Sequence, residues 1–201
     1  MAESSTLNER LKTLRATLSS SQFLRREGLG NELSFHIFDY EPAEEPTVQA
    51  YLPRLKDSLK TLDPAVTPLE VNLYHLILET LQNRNYLERA AELEGRQGGA
   101  ALRAALRSLI RPDALAKAIA AKLSEPHDLV LLTGVGAAFP LVRSHTVLNN
   151  LHAVVDRVPL VMFFPGSYSG HDLQLFGLLK DDNYYRAFPL VPRPTFSQGA
   201  S

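Results

Sequence analysis

Apolar positions change period along this chain, and the changes mark out its elements. Two short, almost wholly apolar runs stand in the C-terminal half: Leu129-Val130-Leu131-Leu132-Thr133, and Val158-Pro159-Leu160-Val161-Met162-Phe163-Phe164-Pro165-Gly166. Strands buried on both faces of a parallel sheet read this way. Between the runs Val147, Leu148, Leu151, Val154 and Val155 recur at helical spacing, with His145, Asn149 and His152 on the other side of the helix. Ser144 is the expected N-cap, and Asp156-Arg157 ends the segment. The unit is strand-helix-strand, with a crossover expected to be right-handed.

The N-terminal half supports the same class. Thr6 and Glu9 have capping-box spacing before the stripe Leu7, Leu11, Leu14 and Leu18. Gly28 and Gly30 mark a stop. Leu33 to Asp39 alternates as a strand, with Phe35 and Ile37 on one face and His36 and Phe38 on the other. An acidic loop, Glu41 to Pro46, precedes a helical run over Val48, Leu52, Leu55, Leu59 and Leu62. Pro53 interrupts that run at a cost of ~3 kcal/mol, which predicts a kink or a start near Leu52. Leu69, Val71 and Leu73 predict a short strand. Helices follow over Leu73 to Leu81, over Tyr86 to Leu93 with a break at Gly95 to Gly99, over Ala100 to Ile110, and from Pro112 through Leu123.

After the second apolar run, Ser167 to His171 reads as a loop. Leu173 to Leu179 and Tyr184 to Leu190 read as two strands joined by a turn at Lys180-Asp181-Asp182-Asn183. The expected architecture is α/β: one domain over residues 1–190, with a mostly parallel central sheet flanked by helices. It has a helical insert at about residues 73–123, a C-terminal hairpin, and a flexible tail at 191–201.

Composition narrows the function classes. The 201 residues carry a formal net charge of -1, which argues against autonomous DNA binding, although a local basic patch escapes a whole-chain count. Arg103, Arg107 and Arg111 form such a row, and a solvated helix face accounts for it more simply than phosphate contact. Cysteine is absent, which removes disulfide, thiolate-metal and cysteine-nucleophile chemistry. The N-terminus has no basic-then-apolar leader, and no apolar run approaches the ~20 residues that span a bilayer. A soluble cytoplasmic protein with no membrane contact is expected.

Each candidate motif falls short of a chemistry. Gly134-Val135-Gly136 follows a strand, where a phosphate loop would sit, but the Walker pattern is missing and Phe139 stands where a dinucleotide fingerprint needs its third glycine. A turn requiring a left-handed glycine explains the motif. Gly166-Ser167-Tyr168-Ser169-Gly170 has tyrosine where a nucleophile elbow needs serine. The donor pairs His36/Asp39, His127/Asp128, His171/Asp172 and His75/Glu79 lack a third ligand, so no metal and no cofactor is expected. Two polar groups remain as interaction candidates: Arg143, Ser144, His145 and Asn149 beside the first apolar strand, and Tyr184, Tyr185 and Arg186 near the C-terminus. No catalytic residue is assigned.

Several phrases also resemble the BrxB family. They are Leu132-Thr133-Gly134-Val135-Gly136, Pro140 to Leu151, Val158 to Gly166, Leu173-Gln174-Leu175-Phe176-Gly177, and Lys180 to Phe188. The similarity runs from about Leu7 to Leu190 and is most specific in the C-terminal half. It implies a component of BREX, the bacteriophage-exclusion systems, without assigned catalytic activity. On that resemblance the chain is an adaptor for the phosphatase-like PglZ, working beside the methyltransferase PglX and the ATPase BrxC. A nucleotide-binding domain that has lost its phosphate loop and senses a nucleotide or nucleic acid is the alternative.

Overall fold

The computed structural model describes residues 6–25, 35–123, 126–152, 154–155, 157–181 and 187–193. Gly28, Gly30 and the segment Tyr184 to Arg186 lie outside them. Helices α1 (Leu7–Leu18) and α2 (Ser21–Leu24) precede strand β1 (Phe35–Tyr40). Helix α3 (Glu45–Lys60) leads to β2 (Pro68–Asn72), and α4 (Leu73–Asn83), α5 (Leu87–Leu106) and α6 (Pro112–Lys122) lead on to β3 (Leu129–Thr133). Short α7 (Val135–Ala138) and α8 (Ser144–Leu151) precede β4 (Leu160–Tyr168), then β5 (Leu173–Leu175), β6 (Leu179–Asp181) and β7 (Phe188–Pro189).

Five strands pair in parallel in the order β2-β3-β4-β1-β7, as the apolar runs predict. Hairpin β5-β6 adds antiparallel to the far end of β4. Strict alternation sorts the sheet into two faces. Phe38, Tyr40, Leu129, Leu131, Val161 and Phe163 meet α1 and α3 through Leu11, Leu14, Leu18, Val48, Leu52, Leu55 and Leu59. Phe35, Ile37, Val130, Leu132, Leu160, Met162 and Phe164 meet α4, α6 and α8 on the opposite face. Each such large side chain contributes roughly 1.5–3 kcal/mol on burial, so the two layers supply most of the driving force. The segment between β2 and β3 is a crossover whose α4 and α6 lie on the sheet, while α5 buries only Ala90 and Leu106.

Several expectations need correction. Helix α3 starts at Glu45, not near Leu52, and continues through Pro53. Pro53 is on the exposed face, where water can bond the freed carbonyl, and four buried anchors offset its cost. The acidic loop is a single 3-10 turn at Pro42–Glu44 running into that helix. Helix α5 passes Gly95 and breaks only at Gly98, where φ is 79°. The following helix stops at Leu106, short of Ile110. Strand β4 extends to Tyr168 and absorbs part of the expected loop. The hairpin turns at Phe176-Gly177-Leu178, with φ of 57° at Phe176 and 69° at Gly177, and Lys180 and Asp181 belong to β6. Gly177 suits that geometry, and its signal was outweighed by the polar run that follows. Strand β7 joins the main sheet beside β1 instead of completing the hairpin. No helix among the described residues is long and apolar enough to cross a membrane.

Candidate functional site

The chain leaving β1 runs over one face in α3, and the chain entering β4 arrives over the other in α8. These two strands are neighbours, so the winding reverses between them. Ligands of open α/β sheets bind beyond the carboxyl ends of such a pair. Here that position holds the chain's own charges. Arg10 donates from Nη1 to Asp39 O at 2.6 Å, and from Nη2 to Asp39 Oδ1 at 2.9 Å and Val191 O at 2.8 Å. Its guanidinium lies 4.8 Å from the centroid of the Phe38 ring. The Tyr168 N–H donates to Asp39 Oδ2 at 3.2 Å. Arg193 brings Nε within 3.1 Å of the same oxygen, donates from Nη2 to Gly166 O at 2.7 Å, and pairs with Glu41.

Arg10 and Asp39 are 4% and 5% exposed, so they form a buried ion pair, with Arg193 half-buried and Glu41 exposed at its rim. Burial pulls the Arg10 pKa below its ordinary value, and the attraction of Asp39 opposes that fall. Both oxygens of Asp39 are engaged, which leaves it poorly placed to take a proton from a substrate. An anionic ligand would have to displace Arg193 or Val191 to reach Arg10. Val191 is itself buried, so the chain packs against the sheet at least to Arg193.

The glycine motif beyond β3 is spent on packing. Gly134 has φ of 68°, and a Cβ there would run into the Asn72 amide, which caps α4 by accepting from the His75 N–H at 3.1 Å. A Cβ on Gly136 would come within 2.9 Å of Pro165 Cγ and 3.1 Å of Phe176 Cε1. These close approaches explain both glycines as structural.

The first interaction group is split by the structure. Arg143 is the exposed N-cap of α8, the position expected of Ser144, and makes no side-chain cap bond. Ser144 is the first helical residue and is 5% exposed. His145 is half-buried and Asn149 is exposed, one turn apart on the helix. His152, expected to face away from the core, stacks on Phe35 with centroids 4.1 Å apart. Tyr184, Tyr185 and Arg186, the second group, fall outside the described residues. His36 and Asp39 do face opposite sides of β1, and Asp39 is committed to arginines. The row of arginines is exposed, with Arg111 paired to Asp113 at 3.0 Å.

Sequence reading missed Arg10, Asp39 and Arg193. The available signal was local: Arg10 falls one turn after Leu7 and one turn before Leu14, inside the apolar stripe of α1. A charge there requires a buried partner, and pattern alone does not name it.

Comparison with known proteins identifies the relatives. The family model for BREX protein BrxB matches residues 69–190. A Bacillus cereus protein named BREX protein BrxB is 44% identical over 191 residues, covering 93% of this chain and 98% of that protein. An Escherichia coli protein of the same name is 36% identical over 187 residues, covering 92% of each. No solved structure matches. With the family model matching more than half of the chain and both relatives aligned over nearly all of it, the chain belongs to the BrxB family of BREX proteins.

Proposed function

We propose that this BREX component is a non-enzymatic adaptor that binds PglZ and helps to assemble it with the methyltransferase PglX and the ATPase BrxC. The observation that carries this reading is the crevice beyond β1 and β4. In the usual ligand position of an open α/β sheet, the chain has placed Arg10, Asp39 and Arg193 against one another. A domain built in this way offers its surface, more than a crevice, for recognition. Arg143, His145 and Asn149 at the start of α8, with Tyr184, Tyr185 and Arg186, are the contact residues to substitute first. Ser144, the first residue of that helix, is buried and is not a first choice for contact.

The test is a pairwise pull-down with PglZ at low and high salt. A complex that persists at high salt, and weakens on substitution of Arg143 or Arg186, is the expected result. Absence of any complex with PglZ, BrxC or PglX would defeat the adaptor reading and favour ligand sensing. A thermal-shift screen against nucleotides addresses that second reading, because a ligand that binds only the folded state raises its stability.

A further inference from the structure

The sheet has an open side at β2, which pairs only with β3 among the described strands. A cavity of about 570 Å³ runs along it. Its walls come from both layers: Lys56 and Lys60 of α3 on one side, Glu79 of α4 and Lys122 of α6 on the other, with Glu70 in the floor. The backbone of β2 has a defined direction here. Thr67 donates its N–H to Asp128 Oδ2 at 2.7 Å, and its carbonyl accepts from the Asp128 N–H at 3.1 Å, so both of its groups turn toward β3. Alternation then turns Leu69 and Val71 the same way and directs the N–H and C=O of Glu70 into the trough.

We propose that this trough is a docking site for an extended acidic segment of a partner protein, which adds as a strand to β2 through the backbone of Glu70. Edge-strand addition takes its affinity from such free backbone groups and its selectivity from the flanking side chains. The charges select the occupant. Three lysines line the trough against two glutamates. Lys56 pairs with Glu70, whose other oxygen accepts from Thr133 Oγ1 at 3.1 Å, and Lys122 pairs with Glu79 at 3.1 Å. Lys60 has no acidic partner among the described residues, so the lining is net positive. A second copy of the chain fits poorly, because its own β2 is walled by the same two layers and these would collide. Pro68 removes one outward donor, and the lysines repel basic strands, which are the devices that keep an edge from pairing indiscriminately. The proposal rests on the strand edge and its charges and does not depend on PglZ being the partner.

The test is to pan a displayed library of random peptides, about 12 residues long, against the full chain and to synthesise the sequences that enrich. Acidic, strand-forming peptides are expected, and binding should slow amide exchange at Glu70. The double substitution Lys60→Glu/Lys122→Glu, at two exposed positions, should weaken them about tenfold or more. Glu70→Pro deletes the outward N–H and should abolish binding; because it also risks the fold, the lysine variant carries the decision. Failure of any peptide to enrich would overturn the proposal. So would enriched peptides that bind the lysine variant equally well, or a self-associated form that protects Glu70 without peptide.

Discussion

At the carboxyl ends of β1 and β4, two arginines are bonded to one aspartate and to backbone carbonyls of the chain itself. Along β2, lysines and glutamates line a trough open to water. The residue types are alike, and their surroundings give them different consequences. In the crevice, desolvation makes Arg10 and Asp39 depend on each other, with Arg193 half-buried over them, so the cluster closes the place where a ligand would enter. In the trough, water screens Lys122 and Glu79 and surrounds Lys60, so those charges stay available to something that arrives. Burial, more than charge count, separates a structural lock from a recognition surface.

The largest expected effect tests the lock. Asp39→Leu leaves Arg10 charged and buried without its partner, and a loss of about 3–5 kcal/mol in urea unfolding is expected. The double variant Arg10→Met/Asp39→Leu removes both charges and should recover much of that loss. A single substitution costing under about 1 kcal/mol would mean that water reaches the crevice, and the contrast with the trough would collapse.

A smaller effect comes from a half-buried group that has no ionic partner among the described residues. His36 lies between Phe23 and Phe188, with ring centroids 4.9 and 6.2 Å away. Burial pushes its pKa down to about 4. The folded state therefore holds fewer protons than the unfolded chain between about pH 6.5 and 4. The contribution from a neutral His36 is complete above that window and is lost as the pH falls through it. The difference amounts to about 3 kcal/mol at most, since each pKa unit is worth about 1.4 kcal/mol. Unfolding midpoints at pH 7 and pH 4.5 should differ less in His36→Phe than in the parent, and equal differences would show that His36 is solvated. Where the crevice keeps its charge by pairing it, this site avoids charge altogether.

The same divide explains how much the sequence could show. The runs Leu129 to Thr133 and Leu160 to Phe164, the capping box at Thr6, and the alternation of Phe35 to Phe38 are local signals, and each became the element it predicts. The hairpin was misplaced because its turn uses Phe176, a residue type that rarely takes positive φ, while a polar run nearby imitated a better turn. The crevice joins Arg10, Asp39 and Arg193 across most of the chain, and no periodicity links such positions. The trough was hidden for a related reason. It is made by the end of the strand order, and β2 becomes an edge only because the connection from β1 carries the chain past β4 and β3.

The smallest stability change sharpens the comparison from the open side. Lys122 pairs with Glu79 at 3.1 Å, with side chains 38% and 51% exposed. Lys122→Ala should shift unfolding free energy by less than about 0.5 kcal/mol, and added salt should shrink even that. The same substitution should weaken an acidic peptide in the trough several-fold, because there the lysine would meet the peptide's carboxylates in addition to Glu79. A Lys122→Ala variant that loses stability on the scale of Asp39→Leu would show that the trough is a second lock. One that leaves both stability and peptide binding untouched would place the recognition elsewhere along β2, nearest to Lys60.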